Sequence, residues 1–135
     1  MEARYLLDSN ICIYIRQRKP EQVLRRFRKL RPSEAVLSVI TYGELHYGAA
    51  TSAHRTVALD RLRELIHLLP AMALPETAAE AYGYLRADLE ARGEMIGNND
   101  LWIAAHALAA GLILVTNNEK ELRGVRGLKI QNWAA

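Results

Sequence analysis

One cysteine, Cys12, is all the chain carries in 135 residues. An internal disulfide is excluded, and with no C-x-x-C pair the composition predicts a protein of a reducing compartment, the cytosol. No run of 18 apolar residues occurs, so no membrane span is expected. The opening MEARYLLDSNICIYIRQ lacks a small-residue cleavage site, which argues against a secretory signal. H-E-x-x-H, G-x-S-x-G and Walker A sequences are also missing, which removes the best-marked routes to zinc hydrolysis, serine hydrolysis and nucleotide phosphate binding. Cys12 has no histidine nearby to activate it as a nucleophile. His46 and His106 fall in helical stretches without ligand partners and read as packing or surface residues, while His54 and His67 read as solvent-side.

No repeat, low-complexity tract or Gly/Ser linker divides the chain, which predicts one domain over residues 1–135, long enough to bury a core unaided. Apolar runs and amphipathic stretches alternate along it. RYLLD, AVLSVI, AMALP, LILVT and LKIQNW read as strands; NICIYIR, PEQVLRRFRKL, TYGELHYGAAT, HRTVALDRLRELIHLL, ETAAEAYGYLRADLEARG, Leu101–Ala110 and NEKELRGV read as helices. In the fourth helix Ala58, Leu62, Leu65, Ile66 and Leu69 share a stripe opposite Asp60, Arg63, Glu64 and His67. Gly93 and Gly111 mark helix ends. This alternation predicts an α/β fold, a mainly parallel sheet of about four to five strands with helices on both faces.

Charge is unevenly placed. Arg16, Arg18, Lys19, Arg25, Arg26, Arg28, Lys29 and Arg31 fall within sixteen positions that hold a single acid, Glu21. A stretch of that density attracts phosphates, with Arg25 and Arg26 the candidate contacts to a nucleic-acid backbone; a solvated amphipathic face explains it equally well. Between Glu76 and Asp100 the sign reverses, with six acids against Arg86 and Arg92.

The chemistry concentrates where apolar strands stop. YLL runs into Asp8-Ser9-Asn10, VLSVI into Thr41-Tyr42-Gly43-Glu44, and LILV into Thr116-Asn117-Asn118-Glu119-Lys120-Glu121, while Asn98, Asn99 and Asp100 precede an apolar helix. Ligands of open α/β sheets bind beyond the carboxyl ends of the strands, so these segments are expected around one crevice. Each has a plain structural reading. Asp8 or Ser9 caps a helix, Thr41-x-x-Glu44 fits a capping box, Asn118-x-x-Glu121 a looser one, and Asn99 or Asp100 caps the last long helix. Caps alone do not account for several separate carboxylates at one crevice, because their mutual repulsion serves no structural purpose. A divalent cation removes that repulsion, and oxygen-only donors suit Mg²⁺ or Mn²⁺. Tyr42, Tyr47, Trp102 and Trp133 read as core aromatics before base-stacking platforms.

In order and spacing, YLLDSNICIYI, TYGELHYG, IGNNDLWIAAHALA and LVTNNEKELRGVRGL...NW resemble the motifs of PIN-domain ribonucleases, most closely the VapC-type toxins of bacterial toxin-antitoxin pairs. The resemblance covers essentially the whole chain. It implies an acidic cluster of Asp8, Glu44 and Asp100, with Asp8 and Asp100 holding Mg²⁺. Many relatives carry an aspartate where this chain has Asn118, and the resemblance then offers Glu121 as the fourth acid, ahead of Glu119. Ser9, Asn10 and Thr116 are expected to position water or phosphate, with Asn98, Asn99 and Asn118 beside the substrate. The implied activity is hydrolysis of RNA, with tRNA and in particular the anticodon stem-loop of initiator tRNA as the target. The implied partners are a VapB-type antitoxin, operator DNA reached only through that antitoxin, and a second copy of the chain. A catalytically weakened binding module and a Mg²⁺-dependent phosphoacceptor domain stand as alternatives; the latter wants a second acid beside Asp8 and a late lysine.

Overall fold

The computed structural model describes residues 2–135. Along the chain run β1 (Tyr5–Leu7), α1 (Ser9–Gln17), α2 (Glu21–Arg28), β2 (Ala35–Ser38), α3 (Val39–Ala50), α4 (Arg55–Leu68), β3 (Ala71–Met72), α5 (Ala78–Arg92), α6 (Asn98–Ala110), β4 (Ile113–Val115), α7 (Glu119–Leu122) and β5 (Ile130–Gln131). The five strands form one sheet in the order β3-β2-β1-β4-β5, and every neighbouring pair is parallel. The predicted α/β class and helix-flanked parallel sheet are therefore found.

Strand side chains alternate between two cores, as a two-residue period requires. Tyr5 and Leu7 of β1, Ala35 and Leu37 of β2 and Val115 of β4 face the layer of α1, α2, α3 and α4, where they meet Ile11, Cys12, Val23, Leu45, Leu62 and Leu65. Leu6, Val36 and Leu114 face the opposite layer, against Leu85 and Leu89 of α5, Leu101, Ile103 and Ala104 of α6, and Leu122 of α7. The α4 stripe read from the sequence packs into the first core, with Ala58 and Ile66 at its edge. Gly93 and Gly111 end α5 and α6 at φ 67°, the left-handed region that an L side chain resists.

Two expectations about local structure fail, for one reason. Val39 and Ile40 read as the end of a β-branched strand, but β2 stops at Ser38 and both residues lie in the first turn of α3. The Ser38 hydroxyl accepts from the Ile40 N–H at 3.1 Å, so Ser38 caps α3 and the Thr41–Glu44 capping box does not form. Thr41 is buried one turn inside the helix instead.

Candidate active site

At the carboxyl end of β1, Asp8 remains in the ladder, its N–H donating to the Val115 carbonyl at 3.0 Å. Its side chain serves two neighbours at once. Oδ1 accepts from the Ile11 N–H at 3.2 Å and caps α1; Oδ2 accepts from the Thr116 hydroxyl at the end of β4. Thr116 is fully buried, and its oxygen also accepts the Asn118 N–H at 3.0 Å. A single hydroxyl thus fixes the β1 acid and the turn leading to α7.

Glu44 arrives from α3 and is held from two sides. The Ser9 hydroxyl donates to its Oε1 at 3.0 Å, and Asn99 Nδ2 donates to its Oε2 at 3.2 Å. The heads of α1 and α6 are thereby joined through one carboxylate. Asp100, half-buried, is the third residue of α6, whose cap position is Gly97; neither Asn99 nor Asp100 caps the helix. Asn118 sits at the cap position of α7, but its Nδ2 donates to the Glu121 side chain rather than completing a capping box. Glu119 turns toward β5 and accepts from Asn132 Nδ2 at 3.1 Å, which leaves Glu121 as the acid of this segment that faces Asp100.

The electrostatics place the four acids in one field. Burial raises the Asp100 carboxyl above its ordinary value, and the charges of Glu121, Asp8 and Glu44 raise it further. Asp8 is also raised; burial outweighs the hydrogen bonds from Thr116 and the Ile11 and Asn10 backbone, and Glu44 adds to it. Among the described residues none of the four takes part in an ion pair. Negative charge is concentrated here without a side-chain cation to balance it.

That donor set suits a hard divalent cation: oxygen only, open to solvent on one side, and uncompensated. Among the described residues no three Asp, Glu, His or Cys side chains are close enough together to hold an ion by themselves. Cys12 lies beneath, fully buried, its thiol pushed up by burial and by the Asp8 charge, and is no nucleophile. His106 is wholly buried and bonds Ser38 at 2.9 Å, while His46, His54 and His67 are exposed.

Several neighbours had no signal in the sequence. Asn10 Nδ2 donates to Asn117 Oδ1 at 3.2 Å, and Asn117 Nδ2 donates to the Tyr14 hydroxyl at 2.8 Å. Asn117 and Tyr14 therefore set Asn10; only the i, i+4 spacing of Asn10 and Tyr14 on α1 hinted at the pair. Asn98 Oδ1 meets the Tyr82 hydroxyl from α5 at 2.5 Å. Of the aromatics, Trp133 is buried and Trp102 stacks on Tyr82, but Tyr47 is 72% exposed and is no core residue.

The two proposed backbone contacts part company. Arg25 is exposed and makes no side-chain hydrogen bond or ion pair among the described residues, whereas Arg26 donates to Gln131 Oε1 at 2.8 Å and lies over the Trp133 ring at 5.3 Å. Arg26 ties α2 to the end of β5. A groove of about 950 Å³ lies between α1, α3 and α4, and Ser9 and Glu44 are among the residues that line it, with Arg16, Arg18, Lys19 and Arg61.

Five parallel strands, a carboxylate at the head of the central one and three more converging on it define a PIN domain, whose family model matches residues 5–128; the chain belongs to this family. It groups with VapC ribonucleases. It is 37% identical over 130 residues to Ribonuclease VapC2 of Haemophilus influenzae, covering 96% of this chain and 98% of that protein. To the tRNA(fMet)-specific endonuclease VapC of Shigella flexneri it is 35% identical, over 97% and 98% of the two chains. Among solved structures, a chain of the DNA-bound VapBC complex from Salmonella typhimurium superposes with a TM-score of 0.91 at 36% identity, covering 97% of this chain and 98% of that one.

Proposed function

We propose that this chain is a divalent-metal-dependent endoribonuclease, the toxin of a toxin-antitoxin pair. The observation that carries the reading is the convergence of Asp8, Glu44, Asp100 and Glu121 at the strand ends without an ion-pair partner among the described residues, with the Asp8 and Asp100 carboxyls raised by burial and by neighbouring acids. Asp8 and Asp100 hold Mg²⁺, for which Mn²⁺ substitutes, and Glu44 and Glu121 orient water or a second ion. A bound ion of this kind supplies an acidified water and neutralises charge on the phosphoryl oxygens and leaving group.

The chain's own groups do the rest. Thr116 keeps Asp8 fixed by its hydroxyl, Ser9 and Asn99 hold Glu44, and Asn98 and Asn10 border the path of the substrate backbone. Arg25 contributes a phosphate contact. Water rather than a ribose 2'-hydroxyl is the nucleophile, so the products carry 5'-phosphate and 3'-hydroxyl ends. A phosphoacceptor role is disfavoured because Asp8 stands alone after β1, followed by Ser9 and Asn10 rather than a second acid.

A relative's name supports tRNA as the substrate class, tRNA(fMet) in particular, and the VapBC complexes support a VapB-type antitoxin; cleavage in the anticodon stem-loop and operator DNA bound through the antitoxin belong to the same proposal. A homodimer, which the resemblance to VapC-type toxins implies, is part of the same proposal. RNA 5'-end sequencing after brief expression of the native chain, beside Asp100→Asn, tests the reading. Discrete new 5'-phosphate ends in tRNA with the native chain alone support it. Cyclic phosphate ends, or undiminished cleavage in EDTA, overturn it.

A further inference from the structure

Outside the acid cluster, one chain of polar contacts reaches the crevice from a helix that has no catalytic role. Tyr82, Arg86 and Glu90 lie four residues apart on one stripe of α5. Arg86 Nη1 donates to the Tyr82 oxygen at 2.9 Å, and Arg86 Nε lies 3.6 Å from Glu90 Oε2. The Tyr82 oxygen lies 2.5 Å from Asn98 Oδ1 at the head of α6. The Tyr82 ring stacks on Trp102 of α6, centroids 3.9 Å apart and planes at 17°.

The direction of each bond follows from the donor inventory. A guanidinium only donates, so Arg86 occupies an acceptor position of the phenol oxygen, and the phenol's one proton goes to Asn98 Oδ1. A carboxamide so held has its carbonyl pinned toward α5. Its Nδ2, with two N–H donors, bonds to no group among the described residues and stands two positions before Asp100. Asn99 is different, since its Nδ2 is taken by Glu44. Asn98 therefore offers a fixed pair of unspent donors at the head of α6, one residue before the Asn99 that bonds Glu44, and an anionic substrate passing that helix head needs donors rather than more carboxylates.

From this geometry we infer that Tyr82, steadied by Arg86 and by its stack on Trp102, is a positioning residue that orients the Asn98 side-chain amide toward the substrate's phosphate. The inference rests on the ribonuclease reading and adds a residue to it. Rotation of a free asparagine would present its oxygen to the phosphate half the time; the phenol removes that option.

The experiment compares the native chain with Tyr82→Phe, which keeps the ring stack and removes only the hydroxyl, and with Asn98→Ala and the double variant. Two readouts are used. In the metal-free protein, the side-chain amide resonances of Asn98 in a proton–nitrogen spectrum should move on Tyr82→Phe. With Mg²⁺ and an initiator tRNA transcript, KM should rise about three- to tenfold, the range expected for one hydrogen bond, with a smaller change in kcat. The same substitution should do nothing further in the Asn98→Ala background. An unmoved Asn98 resonance, or a KM effect that persists without Asn98, overturns the inference. Absence of cleavage by the native chain overturns the ribonuclease reading alone, the amide shift continuing to support the Tyr82–Asn98 clamp.

Discussion

Thr116 shows how much a single hydroxyl can organise. Replacing it with valine preserves shape but leaves the Asn118 N–H without its acceptor and Asp8 Oδ2 without its donor. Unpaired buried groups cost about 1–3 kcal/mol, so Thr116→Val should lower stability by roughly 2 kcal/mol in urea unfolding and cut cleavage through a loosened Asp8. Asp100 makes the opposite case. As an acid in the first turn of α6 it should gain from the helix dipole, yet burial first and three neighbouring charges after it hold its carboxyl above the ordinary value, so desolvation and repulsion outweigh the dipole. A raised carboxyl means that the folded state disfavours the ionised form, and this penalty grows as pH rises through the folded value. Asp100→Asn should therefore raise the melting temperature of the metal-free protein at neutral pH while abolishing cleavage. Added Mg²⁺ should stabilise the native chain more than the variant, which differential scanning fluorimetry would read.

Among the elements, the contact of α6 with the start of α3 is the one most exposed to acid. Ser38 accepts from Ile40, its hydroxyl pairs with His106 Nδ1 at 2.9 Å, and His106 Nε2 is buried without a partner among the described residues. Burial lowers the His106 pKa from its ordinary 6.5. The unfolded chain takes up a proton near that pH and the folded chain does not, so this residue leaves stability flat above about 6.5 and reduces it as pH falls below. Asp8 and Asp100, with raised values, act in the opposite sense at lower pH. Subtracting the urea stability profile of His106→Gln from that of the native chain should isolate a loss on going from pH 7 to 5.5. A flat difference would rule out the buried neutral histidine. The same elements mark the limit of what the sequence reveals. Asp8, Glu44 and Asp100 were legible because each follows or heads an apolar run, and the alternation of apolar runs with amphipathic stretches pointed to the helix-flanked parallel sheet. The end of β2 was not, because Val39 and Ile40 have strand chemistry and only the Ser38 cap turns them into helix. Asn117 bonding Tyr14, 103 residues away, and Tyr82 reaching Asn98 leave no periodic trace, since a pairing between distant elements exists only once the sheet has brought them together.

Across the whole molecule, a formal charge of +3 is unevenly divided: four carboxylates meet in one crevice, while eight basic residues fall between Arg16 and Arg31. Arg25→Glu should weaken RNA binding by Asp100→Asn protein and flatten the dependence of log affinity on log salt by about 0.7 or more. Arg26→Glu should in addition lower stability by about 1 kcal/mol, because it gives up Gln131 and the Trp133 face. Equal stability of the two variants, measured by thermal unfolding, would contradict that division of labour.

The order β3-β2-β1-β4-β5 has a further consequence in time. β1 lies at the centre of the sheet, and its neighbours on one side are residues 113–115 and 130–131. Asp8 cannot meet Thr116, nor Asp100 come near Glu121, until residues 116 to 121 have been made. Non-local parallel pairing of this kind forms late. A ribosome that has synthesised residues 1–110 thus carries three of the four acids with no crevice to hold them, and the site takes shape only when β4 docks beside β1.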